Sequence, residues 1–202
     1  AIVARTATAT AKEIGAAGRD FDLSTVAGAA ALGTALKSEV FDFVFFTVGV
    51  WPTFSKPYTS DGIERVVALD LVARHVVLSA LRLSENAVVV NTLASTQNFP
   101  LVSKIGVKLR LEKNRPPSNI MSALFPVGIA ADAYLLAASK NMASPPKLVG
   151  MFPGSVVTDV MGATVPTWAA PLVKALIYPF SQSVEDCALA HLAVATAPNI
   201  HN

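Results

Sequence analysis

The sequence predicts an α/β fold in which helices cover both faces of a doubly wound parallel sheet. Short β-branched and aromatic runs between turn signals predict strands at residues 1–5, 19–22, 41–48, 86–93 and 147–152. Longer segments with helical patterning predict helices at 7–16, 24–37, 61–82, 120–143, 169–179 and 184–197. Strands that alternate with helices in this way pair in parallel, with helices on both faces. At 202 residues, the chain is long enough for one domain, residues 1–202, with an ample core.

Local signals support the ends of two helices. Ser183 is a good N-cap for the last helix, and Glu185 and Asp186 follow in its first turn, where acids interact favourably with the helix dipole. Asp22 precedes Leu-Ser-Thr, which is an ordinary start signal for the second helix. Gly28 and Gly33 fall inside that alanine-rich helix. Their spacing therefore lacks the strand-to-helix setting of a phosphate loop.

The composition is unusually apolar for a free-standing soluble protein. Hydrophobic residues make up 52% of the chain and charged residues only 15%, which favours burial in a larger assembly. The net charge of +2 predicts no strong general attraction to nucleic acid. Cys187 is the single cysteine, so an intrachain disulfide is impossible. Its place in the apolar pattern of the last helix predicts a core residue rather than a nucleophile.

No transmembrane helix is predicted. The longest apolar stretch runs from Met121 to Ser139 and is interrupted by Asp132, and no uninterrupted run reaches the roughly 18 to 20 residues that a bilayer requires. The lack of disulfides fits a reducing compartment. We expect an intracellular protein, with an organelle such as the mitochondrion as one option.

Several short segments carry motif-like sequences. They are Phe43–Val50, Asp61–His75, Val88–Ser95, Ser139–Asn141, Pro153–Thr158 and Tyr178–Phe180. The most specific is Pro153–Thr158, which has the form Pro-Gly-x-Val-x-Thr. In this order the segments resemble the short-chain dehydrogenase/reductase family, and its retinol-dehydrogenase-like members in particular, over nearly all of the chain. The resemblance implies a Rossmann-like fold.

The resemblance also implies that three catalytic positions are altered. It places Asp70 where relatives have asparagine, Ala94 where they have the catalytic serine, and Leu136 where they have the catalytic tyrosine. Ser95 comes one residue after the serine position, and Lys140 matches the lysine of the Tyr-x-x-x-Lys motif. In the family the tyrosine exchanges a proton with a carbonyl or hydroxyl group, while hydride comes from the nicotinamide. Leucine cannot exchange that proton.

Tyr134 is the nearest tyrosine, but its spacing is unfavourable. A tyrosine four residues before Lys140 would lie about 40° from it around the helix axis, so both side chains would reach one cleft. Tyr134 precedes Lys140 by six residues, which separates the two by about 120°. It could replace the missing tyrosine only if the helix were locally over-wound or under-wound.

The resemblance implies candidate nucleotide contacts as well. Arg5 lies where NADP-preferring members keep a base for the 2′-phosphate, and Asp22 lies near the adenine position, an interpretation that we weigh equally with the helix-start signal. The other candidates are in turns after strands: Gly49, Pro153, Gly154 and Thr158. The cofactor would be NADP or NAD, if the protein binds one.

No segment of the sequence resembles the family's first strand or its Gly-rich phosphate loop. Residues 1–5 resemble the second strand of the fold, and no Thr-Gly-x-x-x-Gly-x-Gly string occurs in the sequence. Because that first strand is central, we expect unpaired strand edges and a gap in the core. We expect about 20 to 40 further N-terminal residues in the natural protein, or another element that fills the gap.

The segment from Lys104 to Arg115 is locally basic. Its cations are Lys104, Lys108, Arg110, Lys113 and Arg115, against a single acid, Glu112. They could contact phosphate, from RNA or lipid. A solvated loop beside the substrate cleft is favoured, because no stacking aromatics accompany the charges.

Two functions remain open. The first is a non-catalytic or strongly impaired member of the family, retained as a structural or binding subunit of a larger assembly. The alternative is an NADP-dependent oxidoreductase acting on a carbonyl or alcohol, with Tyr134 and Lys140 as the catalytic pair and Ser95 as the serine. No histidine has metal-ligand spacing, so no metal is expected.

Overall fold

The computed structural model describes residues 2–5, 7–50, 52, 56–93, 120–141, 146–158 and 168–198. The strands are β1 Ile2–Ala4, β2 Gly18–Asp20, β3 Val40–Phe46, β4 Arg82–Thr92 and β5 Lys147–Met151. The α-helices are α1 Ala7–Glu13, α2 Val26–Leu36, α3 Arg65–Val67, α4 Arg74–Ala80, α5 Ile120–Asn141, α6 Ala170–Ile177 and α7 Val184–Thr196. A π-helical segment, Ala68–Ala73, joins α3 to α4, and a 3₁₀ turn, Tyr178–Phe180, follows α6.

The strands form two parallel sheets rather than one. β1 pairs with β2, and β3, β4 and β5 pair in that order. β4 lies between two strands, and its residues Ala87–Asn91 are buried. β3 has the same apolar character but no described partner on its second edge, and its Phe43 and Phe45 remain 48% and 39% exposed. The predicted α/β fold with parallel strands and helices on both faces is confirmed. The sheet is interrupted between the β1–β2 pair and β3, where unpaired strand edges were expected.

A cavity of about 220 Å³ separates the two sheets, and we call it the inter-sheet cavity. Val3 of β1 lines one side of it, and Phe41 and residues 43–46 of β3 line another. The apolar side chains Leu23, Leu32 and Leu36 and the guanidinium of Arg74 complete much of the wall. The expected gap in the core is therefore present, and it lies between β1 and β3.

The main core lies on the face of β3 and β4 that α2 and α4 cover. Leu32, Leu69, Val77 and Val89 are among its buried residues. α2 approaches α4 closely at Gly33, where an added Cβ would lie 2.4 Å from the Cβ of Ala80. Gly33 thus serves helix packing, in agreement with its position inside a helix.

The central helix differs from the predicted helix over 61–82. It begins at Arg65, because Gly62 takes a positive φ of 73° in the preceding turn and the Glu64 side chain caps the backbone N–H of Val67 at 3.0 Å. The π-helical segment Ala68–Ala73 then interrupts the α-helix at Asp70. An extra residue in a helical turn produces such a segment, and one is often found at functional sites.

By length and composition alone, residues Ser122–Asn141 of α5 could cross a membrane, with a mean hydropathy of 1.4. One row of this helix is packed in the protein interior. Ala123, Val127, Ala131 and Leu135 recur every four residues and are all buried. This row shows that one face of the helix packs in the core, and core helices can pass the same test of length and composition.

Helix α6 presents apolar side chains to solvent. The exposed set includes Trp168 just before the helix, Leu172 and Leu176 within it, and Phe180 after it. Trp168 and Phe180 are 81% and 86% exposed. The only charged residue of the helix, Lys174, is on the more covered side. We call Trp168, Leu172, Leu176 and Phe180 the α6 patch.

Candidate functional site

Arg74 joins the carboxyl ends of two neighbouring strands. Its guanidinium donates one hydrogen bond to the carbonyl of Thr92 at the end of β4, at 2.7 Å, and another to the carbonyl of Val48 after β3, at 2.6 Å. Arg74 is only 4% exposed. The carboxyl edge of a parallel sheet is where ligands bind in α/β folds, so Arg74 occupies the base of the expected site.

Asp70 is ion-paired with Arg74 one helical turn away. Its Oδ1 accepts from Arg74 Nη2 at 3.1 Å. Burial raises the pKa of Asp70 to about 7, and the charge of Glu64 adds to this effect, although Arg74 opposes it. The carboxylate also packs on the turn after β3, since an added Cβ on Gly49 would lie 2.6 Å from Oδ1. Asp70, which the resemblance aligns with an asparagine, is thus held against Arg74, and the two groups form an ion pair once Asp70 loses its proton near pH 7.

Leu136 and Lys140 lie on the solvent-facing side of α5. Leu136 is 59% exposed and Lys140 is exposed. Because α5 is α-helical from Ile120 to Asn141, these two residues lie about 40° apart around the axis. An apolar side chain therefore occupies the position beside Lys140 that the resemblance assigns to tyrosine.

Tyr134 lies on another side of α5. Its hydroxyl is 3.1 Å from Nδ1 of His75, and the two rings meet edge to face. Burial raises the pKa of Tyr134. Since α5 is a regular α-helix here, Tyr134 is separated from Lys140 by about 120° around the axis and about 9 Å along it. The structure brings Tyr134 to His75 on α4.

A buried hydrogen-bonded chain links α7 to the end of β4. Nε2 of His191 is 2.8 Å from the Thr92 hydroxyl, and Nδ1 is 2.8 Å from the carbonyl of Cys187. A carbonyl only accepts, so Nδ1 donates to it, and in the neutral imidazole the Thr92 hydroxyl then donates to Nε2. Both nitrogens of His191 are satisfied, which is typical of a structural histidine. Cys187 is half-buried, and burial raises the pKa of its thiol.

Arg5 and Asp22 lie near each other after β1 and β2. Hydrogen bonds from Ser24 lower the pKa of Asp22, and the charge of Arg5 contributes to this lowering. Asp22 Oδ1 accepts from the Ser24 backbone N–H at 3.0 Å, so its carboxylate supports the turn into α2.

The turn after β5 is fixed by the segment before α7. Gln182 donates from its side chain to the carbonyl of Pro153 and from its backbone to the carbonyl of Ser155. Gly154 has a positive φ of 71° and an open position for a Cβ, and Thr158 is half-buried. Among the described residues, no glycine-rich strand-to-helix turn supplies the backbone N–H groups that hold a pyrophosphate. These residues do not by themselves fit a dinucleotide.

Other predicted residues lie outside the described ranges. They are Ala94, Ser95 and the five cations Lys104, Lys108, Arg110, Lys113 and Arg115. Within the described ranges, no group of three or more potential metal ligands lies together.

The sequence alone does not predict a role for Arg74. The available signal was its spacing of four residues from Asp70 in a helical pattern, which favours an ion pair. Its two carbonyl partners could not be found in this way, because they depend on tertiary packing.

The comparisons with known proteins show the fold. No family model matches the chain, and no curated protein matches it. Among solved structures, the 3-alpha-hydroxysteroid dehydrogenase from Pseudomonas sp. B-0831 complexed with NADH has a TM-score of 0.66 at 15% identity, over 96% of this chain and 89% of that one. The RhlG/NADP active-site complex of Pseudomonas aeruginosa has a TM-score of 0.66 at 19% identity, over 100% and 80%.

A third similar structure is a short-chain dehydrogenase family protein from Francisella tularensis subsp. tularensis SCHU S4. Its TM-score is 0.59 at 16% identity, over 89% of this chain and 74% of that one. Sequence identities this low show a shared architecture, but they do not show a shared activity. The chain has the Rossmann-like fold of the short-chain dehydrogenases/reductases.

Proposed function

We propose that this protein is a binding subunit with the fold of a short-chain dehydrogenase and with absent or strongly reduced oxidoreductase activity. The observation that carries this proposal is Leu136, an exposed apolar residue one turn before Lys140 on a regular α-helix. Proton transfer by a positioned side chain contributes roughly 10²- to 10⁴-fold to a rate, and leucine contributes none.

The position of Tyr134 supports the same proposal. Its hydroxyl is engaged with His75, and burial raises its pKa, whereas a tyrosine that transfers protons near neutral pH needs a lowered pKa. Asp70, at the family's asparagine position, is engaged with Arg74. Losses within one catalytic unit are not additive, so Leu136 alone could account for most of the reduction.

The binding role rests on the exposed α6 patch. Large apolar side chains that are exposed together mark interaction sites, and tryptophan is enriched at the energetic centres of protein interfaces. Lys174, the charged residue of α6, is half-buried and lies on the opposite side of the helix from Leu172 and Leu176, so the α6 patch itself contains no charged residue. A protein partner that buries this face would also explain the high apolar content of the chain.

The alternative is an NADP-dependent oxidoreductase that uses Tyr134 and Lys140. Its support is that two similar solved structures hold NADH or NADP. The two functions differ in what Lys140 does, because only the oxidoreductase depends on its ammonium group.

Reductase assays test the proposal. Wild-type protein, Lys140→Ala and the control Lys12→Ala would be assayed with NADPH and NADH against a panel of aldehydes and ketones. Lys12 is an exposed lysine on α1, so its replacement controls for loss of charge. We expect the same background rate for all three proteins. A wild-type rate that falls by about 10²-fold or more only in Lys140→Ala would establish the oxidoreductase.

A further inference from the structure

The order of side chains in the α6 patch makes the patch complementary to a second copy of itself. We propose that the protein forms a homodimer in which the α6 patches of two copies pack across a two-fold axis, with their α6 helices running in opposite directions. This inference rests on the proposed binding function, and it names the partner that covers the patch.

The four side chains of the patch follow each other at intervals of four residues. Trp168 and Phe180 lie at the two ends, and Leu172 and Leu176 lie between them. A two-fold axis at the middle of this row would place Trp168 on Phe180 of the second copy and Leu172 on Leu176. The interface of a two-fold dimer requires a surface that is complementary to itself in this way. A segment of the same chain that folded over the patch would require no such order.

The short length of α6 suits a contact between two crossing helices. The helix has eight residues and is therefore about 12 Å long. Residues four apart form a ridge on a helix, and two identical ridges pack with an angle of about 50° between the helix axes. The contact is then confined to one or two turns, which is the extent of Leu172 and Leu176. Trp168 and Phe180, which flank the helix, would extend the contact on either side.

The exposed area of the patch is sufficient for a weak dimer. Trp168 and Phe180 are 81% and 86% exposed, and Leu172 and Leu176 are 62% and 65% exposed. Since an aromatic side chain buries about 150 to 250 Å² and a leucine roughly half as much, each copy would bury about 400 to 500 Å². Two copies then bury roughly 800 to 1,000 Å², at the low end of specific interfaces. We expect a dissociation constant in the micromolar range.

The lack of charge in the patch favours a second copy over a membrane surface. Helices that lie on a membrane combine an apolar face with a polar face rich in lysine and arginine. The sole charged residue of α6 is Lys174, which is half-buried. A second copy requires no such cations, and two uncharged patches face each other without electrostatic repulsion.

Sedimentation equilibrium of the natural full-length protein tests the proposal. Wild type, Leu172→Lys and the control Leu189→Lys would be measured across the micromolar range. Leu189 lies on α7 outside the patch and is 64% exposed, so its replacement introduces the same charge at a leucine of similar exposure. We expect dimers of wild type and of Leu189→Lys. We expect an affinity about 10-fold lower or less in Leu172→Lys, because the new charge would be buried against leucine without a partner.

Mixtures of two variants test the antiparallel arrangement. When Leu172→Lys is mixed with Leu176→Glu, the lysine of one copy lies beside the glutamate of the other, and we expect the dimer to be restored. The matched mixture of Leu172→Lys with Leu172→Glu carries the same two charges but holds them apart, and we expect it to remain largely monomeric. Circular dichroism of each variant would verify that the exposed substitutions leave the fold intact.

Three results would overturn the inference. The first is a wild type that stays monomeric; if this monomer bound phosphatidylcholine vesicles and Leu172→Lys did not, the patch would be assigned to a membrane. The second is an equal loss of affinity in Leu172→Lys and Leu189→Lys. The third is restoration only in the mixture of Leu172→Lys with Leu172→Glu, which would make the helices parallel. Reductase turnover in a dimeric wild type would instead remove the non-catalytic function and leave the dimer intact.

Discussion

Replacing Asp70 by asparagine should change how stability depends on pH. Burial raises the pKa of Asp70 from its ordinary 3.8 to about 7 in the folded protein. The unfolded chain therefore releases this proton near pH 4, while the folded protein keeps it until near pH 7. Between these values the folded state binds more protons, so raising the pH destabilises it. The contribution of Asp70 to the free energy of unfolding is therefore most favourable below about pH 4, and it is lost as the pH approaches 7.

The size of this effect follows from the pKa difference. One pKa unit corresponds to about 1.4 kcal/mol, so the full difference amounts to about 4 kcal/mol. The Asp70 side chain remains 20% exposed, and water offsets part of the burial. We therefore expect Asp70→Asn to gain roughly 2 to 4 kcal/mol relative to wild type between about pH 4.5 and about pH 7.5.

Urea denaturation of both proteins across this pH range would measure the effect. The difference between their free energies of unfolding isolates Asp70, because all other groups titrate in both. Asp42→Asn is the control, since it removes the same charge at an exposed site on β3. If the stability gained by Asp70→Asn over wild type stays constant or shrinks as the pH rises, Arg74 keeps the buried carboxylate ionised. Our account of the Asp70–Arg74 pair would then be wrong.

Three further substitutions should lower the free energy of unfolding in chemical denaturation. Thr92→Val leaves Nε2 of His191 buried without its donor and should cost about 1 to 3 kcal/mol, whereas Thr92→Ser should retain most of the stability. Gly33→Ala should cost about 1 to 3 kcal/mol, because the new methyl group meets Ala80, and a simultaneous Ala80→Gly should recover part of the loss. Leu32→Ala removes a side chain that is 2% exposed and should cost about 2 to 5 kcal/mol; a cost below 1 kcal/mol would mean that the inter-sheet cavity leaves this core loosely packed.

The strands and helices could be predicted from the sequence because their signals are local. The apolar run of β4 and the N-cap Ser183 of α7 each determine structure over a few neighbouring residues, and both elements formed within four residues of the expected bounds. Ser183 indeed accepts a hydrogen bond from the Asp186 backbone N–H at 3.0 Å. The order of these elements then limited the fold to a parallel sheet with helices on both faces.

The site could be predicted only in part, because it depends on contacts between distant residues. The spacing of Tyr134, Leu136 and Lys140 on one helix gave their relative angles directly. The bonds from Arg74 to Val48 and Thr92 join residues 26 and 18 positions apart, and no periodicity indicates them. The π-helical segment at Asp70 likewise has no clear sequence signal, since it results from how the central helix packs.

Titration with NADPH and NADH most directly tests the claim that this chain is a binding subunit rather than an enzyme. Binding would be followed by calorimetry, and the same samples would be examined for oxidation of the nucleotide in the presence of carbonyl compounds. The account predicts no turnover above background, and no binding at the micromolar concentrations typical of enzyme substrates. Micromolar binding together with turnover that Lys140→Ala abolishes would contradict it.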